Sequence, residues 1–264
     1  MLLGIVTMLL TILVLQACSS DKQADSEQFA QKPDSNEQSS TGEPKSGGTL
    51  TIMDIAHPEN LDPITTASLR AHNIAGMVYN RLVTFPTPTN LEQFSDYSIK
   101  PDLAREWEIS EDGLQYTFHL RDDVNWHDIP PVNGRPFVSD DVVATMKKIQ
   151  EVGHQAFTLK SVEKIEAPDE HTVVFTLSKP DAAFLSYLAN HFMWILPKEA
   201  IEGKVDIENT AIGTGPFMLE KFERNVETIF TKNPNYFVEG LPYLDKVVSK
   251  IIPDTSTQIA AYRT

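Results

Sequence analysis

The sequence predicts an α+β fold, in which strands and helices are mixed along the chain and several strands form hairpins. This prediction follows from segments that alternate apolar and polar residues, turn-forming residues between them, and apolar residues spaced three and four apart. Single strands do not alternate regularly with single helices. The sequence therefore does not predict a doubly wound parallel sheet.

Alternating segments predict the strands. In the clearest one, 114–121, the apolar residues Leu114, Tyr116, Phe118 and Leu120 share one face, and polar residues occupy the other. Turn-forming residues before this strand predict a hairpin with a preceding partner. The other predicted strands are 49–55, 107–109, 162–166, 171–177, 217–222, 226–231 and 246–252.

Helical spacing of apolar residues predicts the helices. One is expected over 69–82, and a second over 139–152 with Ser139 as its N-cap. Asp181 is placed to cap a third, shorter helix. The segment 85–100 is rich in proline, threonine and asparagine, which predicts a surface loop.

Residues 1–17 predict a cleaved export signal. The run from Leu2 to Leu15 is almost entirely apolar, and at roughly 14 residues it is shorter than the ~20 that a membrane-spanning helix needs. The sequence Leu15-Gln16-Ala17-Cys18 resembles the bacterial lipobox, in which the chain is cut before a cysteine that carries a lipid. Cys18 is the single cysteine of the chain, so we expect it to be the lipidation site. A plain signal peptide with an incidental cysteine is the alternative.

Residues 18–46 have a different composition, dominated by Ser, Gln, Asp, Lys, Glu and Pro. Such a segment buries too little apolar surface to offset the entropy lost on folding. We therefore expect a disordered tether between the lipid and a folded part that begins near Gly47.

The charge balance excludes some classes of partner. The chain has 22 Lys and Arg against 37 Asp and Glu, a net charge of −15. Nucleic-acid binding requires clustered basic residues that release counterions, so we predict no nucleic-acid partner. The acidic character weakly favours cationic or zwitterionic ligands, and a solvated surface is the alternative interpretation.

The sequence contains no established pattern of catalytic or metal-binding residues. The seven histidines are scattered, and no zinc-binding, nucleophile-elbow or phosphate-binding motif occurs. His127-Asp128 beside Trp126 leaves open a metal or acid–base site, although a loop leaving a strand is the other interpretation. We therefore predict no catalytic residue, no metal site, no cofactor and no enzymatic activity.

Several motifs in order resemble the extracellular solute-binding proteins of family 5, the oligopeptide-, dipeptide- and nickel-binding components of ABC importers. The resemblance covers about residues 47–264. The densest group runs from Pro101-Asp102-Leu103-Ala104 through Trp126-His127-Asp128 to Gly134-Arg135-Pro136-Phe137 and Asp140-Asp141-Val142. The flanking groups are Gly47-Gly48-Thr49-Leu50, Leu61-Asp62-Pro63, Tyr79-Asn80-Arg81-Leu82, Gly213-Thr214-Gly215-Pro216-Phe217, Asn233-Pro234-Asn235-Tyr236 and Pro242-Tyr243-Leu244-Asp245.

This resemblance implies part of a two-lobed periplasmic-binding-protein type II fold. Residues 47–264 would then be an N-terminal fragment that holds the first lobe and an inserted subdomain, without the second lobe. Family members bind ligands between two hinged lobes that close over them. The segment 127–134 is longer than the short His-Asp-Gly turn that is common in the family.

The resemblance also implies the ligand-binding residues. The loop after Leu61-Asp62-Pro63 corresponds to a cleft-lining segment, and two further segments correspond to the wall contributed by the inserted subdomain. Ordinary loop or core packing is the alternative for each residue. The predicted ligand-binding residues are Thr66, Ala67, Ser68, Leu69, Phe157, His191, Phe192 and Met193.

The predicted function is that of a substrate-binding lipoprotein of an ABC importer. It would be a monomer, anchored outside the cytoplasmic membrane by its lipid, that captures peptides or similar small solutes and delivers them to permease subunits. The ligand stays open among oligopeptides, dipeptides, nickel chelates and oligosaccharides. A membrane-anchored extracytoplasmic hydrolase is the alternative, and a sensory or adhesive role of the same binding fold is a third interpretation.

Overall fold

The computed structural model describes residues 44–88 and 94–263. The predicted export signal, Cys18 and the tether as far as residue 43 lie outside the described residues. Within those ranges, no helix combines the length and the apolar composition that crossing a membrane would require.

The described residues form strands and helices in mixed order, as predicted. The strands are β1 (Thr49–Asp54), β2 (Val83–Thr84), β3 (Lys100–Pro101), β4 (Ala104–Ile109), β5 (Gln115–Leu120), β6 (Val162–Asp169), β7 (Thr172–Leu177), β8 (Phe217–Glu223), β9 (Glu227–Lys232) and β10 (Lys246–Ile251). The helices are α1 (Leu69–Val78), α2 (Ser139–Val152), α3 (Phe184–Leu188), α4 (Lys198–Ile201) and α5 (Thr255–Ala261).

One sheet combines the two ends of the described chain. Its order is β1-β10-β9-β8, in which β1 and β10 are parallel and the other pairs are antiparallel. Helix α1 packs against this sheet at β8. Buried Phe230 and Val247 pair across β9 and β10, and the hairpin of β8 and β9 agrees with the predicted one.

A second, four-stranded antiparallel sheet has the order β4-β5-β7-β6. On β5, Tyr116 and Phe118 are buried, and opposite them Phe175 and Val173 of β7 are buried as well. Helix α2 packs against β6 and β7 and covers this face. All strands of the second sheet lie in the chain between β1 and β8, so it forms a subdomain inserted into the first sheet.

The predicted helix over 69–82 is wrong in its last turn, because α1 ends at Val78. After Val78 the chain leaves the helical path, because the next residues bind to Asp102. The Asp102 carboxylate accepts hydrogen bonds from Asn80 Nδ2 and from the main-chain nitrogen of Arg81, each at 2.8 Å. The next residues then form β2, which pairs with β3 at the end of the predicted loop 85–100.

Two predicted helix caps also differ. The N-cap of α2 is Val138, whose main-chain nitrogen donates to the carboxylate of Asp141, whereas Ser139 is already helical and donates from Oγ to the Asp169 carbonyl. Asp181 lies before α3 and accepts from the main-chain nitrogen of Ala183, the actual N-cap. It therefore stabilises the turn that precedes the helix.

Candidate ligand-binding site

The predicted cleft-lining segment Thr66–Leu69 connects a buried turn to helix α1. In the turn, Asp62 accepts hydrogen bonds from the main-chain nitrogen of Ile64 at 2.8 Å and from the Thr65 hydroxyl. At the other end, Ser68 is the N-cap of α1 and its Oγ accepts from the main-chain nitrogen of Ala71. The segment is thus held at both ends, and the side chain of Leu69, the first residue of α1, is 66% exposed.

His72 ties this segment to the inserted subdomain. Its ring is 3% exposed, and Nε2 lies 3.0 Å from the carbonyl oxygen of Thr66. The indole Nε1 of Trp194 donates to His72 Nδ1 at 3.2 Å. Burial is the main reason that the pKa of His72 lies below its ordinary value.

Phe192 lies at the centre of three imidazole rings. Its ring centroid is 4.3 Å from that of His72, 4.3 Å from that of His191 and 5.4 Å from that of His154. His191 is exposed and Phe192 is half-buried, whereas Met193 is in the core with 1% exposed. The predicted segment 191–193 therefore presents His191 and Phe192, and not Met193, at the surface.

The connection after α2 completes this cluster. The main-chain nitrogen of His154 donates to the Ile64 carbonyl at 2.8 Å, which brings the end of α2 against the turn that leads into the cleft-lining segment. Phe157 follows in the short helical turn Ala156–Leu159 and is 59% exposed. Sequence reasoning missed His72, His154 and Trp194, because lone residues of these types carry no local signal.

Arg81 supplies a permanent positive charge beside the cluster. Its guanidinium lies over the ring of Trp194, 4.5 Å from the centroid, and donates to the Thr84 hydroxyl at 2.6 Å. Burial lowers the pKa of His191, and the charge of Arg81 lowers it further. This side of the site therefore favours neutral histidines although the chain as a whole is acidic.

His127, the residue considered for acid–base chemistry, has no free ring nitrogen. It is 1% exposed, its Nδ1 accepts from the main-chain nitrogen of Gly213 at 3.2 Å, and its Nε2 lies 3.0 Å from the Gly215 carbonyl. Burial lowers its pKa to about 4. A general base must reach a substrate proton, so this geometry assigns His127 to structure. Across the described ranges, no three potential metal-binding side chains are grouped to hold an ion.

Comparison with known proteins identifies the family. The model of the bacterial extracellular solute-binding proteins, family 5, matches residues 98–264. Di/tripeptide-binding protein 2 of Pseudomonas aeruginosa is 31% identical over 81% of this chain and 43% of its own length. Heme-binding protein A of Haemophilus influenzae is 30% identical over 96% of this chain and 47% of its own length.

A solved structure gives the same result at the level of the fold. The periplasmic binding protein DppA of Helicobacter pylori, in complex with the peptide STSA, has a TM-score of 0.71 and 32% identity, and the match covers 83% of this chain and 45% of that one. This confirms the predicted α+β fold as part of a two-lobed periplasmic binding protein. The chain spans less than half the length of the relatives that it matches.

The sequence match covers more than half of the chain, and it includes the inserted subdomain and the returning strands of the first sheet. The relatives are solute-binding proteins and not enzymes. The chain belongs to family 5 of the bacterial extracellular solute-binding proteins.

Proposed function

We propose that this chain is the N-terminal part of a substrate-binding lipoprotein of an ABC importer. The protein would bind peptides or similar small solutes outside the cytoplasmic membrane and deliver them to the permease subunits. The observation that carries this proposal is the convergence of Thr66–Leu69 with the segment around Phe192, through His72, in a chain whose relatives include di/tripeptide-binding proteins.

The segment Thr66–Leu69 suits the main chain of a peptide. Extended peptides are held by main-chain hydrogen bonds, and pockets beside them accept the side chains. The described residues supply no partner for the main-chain N–H groups of Ala67 and Leu69, which leaves both groups available to a ligand. His191, Phe192 and Phe157 would form the apolar and aromatic wall beside this segment.

Anchoring would be provided by the N-terminal segment. A lipid on Cys18 would hold the mature protein at the membrane, and residues 18–46 would let the binding domain reach the permease. Both expectations follow from composition and from the lipobox-like sequence. We expect the binding domain to act as a monomer.

The first experiment measures ligand binding by the whole secreted protein. The coding sequence is extended to its natural end, the protein is produced with Cys18→Ser, and native mass spectrometry is run before and after addition of di-, tri- and tetrapeptides. We expect one peptide per protein and a rise in Tm that grows with peptide concentration. A protein that binds none of these peptides, and shows no shift in Tm, would contradict the proposal.

A matched pair of variants then tests the site itself. Ala67→Leu adds bulk to the predicted contact segment, whereas Ala182→Leu makes the same change at another exposed position, outside the site. We expect Ala67→Leu to weaken peptide binding about tenfold or more. The Ala182→Leu protein should bind like the wild type, and equal affinities of both variants would remove Thr66–Leu69 from the site.

A further inference from the structure

We propose that His72 is a positioning residue, which holds the ligand-binding segment Thr66–Leu69 in its binding conformation only while its ring is neutral. This inference rests on the proposed function, because it concerns how the site of that function is held. It adds a dependence of ligand binding on pH that is built into the contact between α1 and the inserted subdomain.

The partners of His72 determine which nitrogen carries its proton. The indole of Trp194 can only donate and the carbonyl of Thr66 can only accept. Nδ1 is therefore the acceptor and Nε2–H is the donor, at 3.2 Å and 3.0 Å. In this single tautomer the ring connects Trp194 of the subdomain with the main chain of the ligand-binding segment.

A second proton on His72 is incompatible with this arrangement. Protonated Nδ1–H would point at the N–H of Trp194, so two donors would face each other across 3.2 Å. The ring is almost fully buried, and water therefore cannot replace the lost acceptor without a movement of the segment. Protonation thus requires His72, Trp194 or the main chain at Thr66 to shift.

Burial and the neighbouring histidines also disfavour a protonated His72. Burial is the largest cause of its lowered pKa, and protonated His191 and His154 would lower it further, while main-chain hydrogen bonds with Thr66 and His191 oppose them. Arg81 lies over the other partner, Trp194. The arrangement is complete above the ~6.5 of an unperturbed histidine, and it is lost as the pH falls below that value towards the lowered pKa.

The same geometry argues against a metal ion at the three histidines. A metal ligand needs a free nitrogen lone pair, and both ring nitrogens of His72 already have partners. The cluster therefore acts through hydrogen bonding and ring contact.

Two variants of similar shape separate the two bonds of His72. His72→Asn places an amide oxygen near the position of Nδ1, so it keeps the acceptor for Trp194 and loses the donor to Thr66. His72→Gln reaches the position of Nε2, so it keeps the donor to Thr66 and loses the acceptor. Neither side chain titrates between pH 5 and pH 8.

The test uses the full-length secreted protein and trialanine as the probe, with Kd measured by calorimetry at pH 7.5 and pH 5.5. We expect wild-type affinity to fall about fivefold at the lower pH, because binding must then remove a proton from the displaced His72 ring. His72→Gln should keep the neutral-pH affinity and lose this dependence. His72→Asn should bind about tenfold more weakly at both pH values.

His119→Gln serves as the matched control, because His119 lies on β5 of the second sheet, beside Glu108. It should retain both the affinity and the pH dependence of the wild type. If His72→Gln retained the full pH dependence, or if His72→Asn lowered only Tm and left Kd unchanged, the proposal would be overturned.

Hydrogen exchange separates this inference from the proposed function. Without ligand, the amides of residues 64–69 should exchange faster in His72→Asn than in the wild type at pH 7.5, and His72→Gln should match the wild type. A wild-type protein that does not bind trialanine counts against the peptide-binding proposal, and exchange alone then decides the role of His72. Unchanged exchange in His72→Asn would reject that role.

Discussion

At the scale of single residues, buried histidines show how far chemistry can be inferred from sequence. His127 lies in a motif-like sequence that suggests acid–base chemistry. Both nitrogens of its ring, however, are hydrogen-bonded to main-chain groups 86 and 88 residues further along the chain. His72 has no motif around it, and yet it joins two segments of the candidate site. Residue type sets what a side chain can do, whereas its partners, distant in sequence, decide what it does.

The burial of His127 makes stability depend on pH. Its pKa of about 4 lies below the ~6.5 of an unfolded chain, so the unfolded state binds more protons between these values. The folded state should lose about 2 kcal/mol through this residue between pH 7 and pH 5. Tm should therefore fall less between these pH values in His127→Asn than in the wild type. Equal falls in scanning calorimetry would contradict this expectation.

Asp141 and Asp140 are neighbours with different roles. The buried carboxylate of Asp141 accepts from Trp126 Nε1, from the guanidinium of Arg135 and from the main-chain nitrogen of Lys198. Asp140 is exposed and pairs with the Lys198 ammonium. Both residues lie in the first turn of α2, where the helix dipole favours a carboxylate, so position along the helix does not distinguish them.

Replacing each aspartate separately tests that difference. Asp141→Asn places an amide NH₂ among donors and should lower the free energy of unfolding by about 3 kcal/mol. Asp140→Asn removes an exposed ion pair and should leave Tm nearly unchanged. Urea unfolding of the two variants is the measurement, and similar midpoints would exclude a special role of Asp141.

At the scale of elements, the strands were predicted well because one buried face imposes a period of two on the sequence. Tyr116 and Phe118 of β5 show this pattern and face the core as expected. The end of α1 was predicted poorly, because it is set by hydrogen bonds from Asn80 and Arg81 to Asp102, which is distant from them in sequence. Local periodicity contains no information on such a contact.

Gly76 inside α1 and Gly213 beside the end of α1 have opposite tolerance for a side chain. A Cβ on Gly213 would lie 1.9 Å from the carbonyl oxygen of Val78, whereas a Cβ on Gly76 would meet the ring of Trp194 at an ordinary 3.5 Å. We expect Gly213→Ala to lower Tm strongly, because the loop must move away from the end of α1. Gly76→Ala should be neutral or stabilise by up to about 1 kcal/mol, since alanine favours a helix interior. Calorimetry of both variants checks this, and a neutral Gly213→Ala would contradict the close approach.

At the scale of the whole molecule, the sequence indicated the family and its lobed organisation through motifs spread over the folded part. The individual ligand contacts stay predictions. A site is formed by segments such as 66–69 and 191–193, and their meeting depends on tertiary packing. Composition, by contrast, was sufficient to propose the tether, and the lipobox-like sequence was sufficient to propose the anchor.

The anchor has a direct test in cells. Cys18→Ser should release the protein from the membrane fraction and abolish incorporation of labelled fatty acid. Ser19→Ala, next to it, should retain both properties. Membrane association that persists in Cys18→Ser would indicate another means of attachment, whereas wild-type protein that is absent from the membrane fraction would favour the plain signal peptide.

The pairing of β1 with β10 has a consequence for how the chain folds. Thr49 lies opposite Lys246, while both hairpins of the inserted sheet join strands that are close in sequence. Closing a long loop costs more entropy than closing a short one, so contacts within the subdomain should form first. The strand that leaves the ribosome earliest would then be among the last to find its place. Until it does, the edge of β10 that pairs with β1 stays open to other chains.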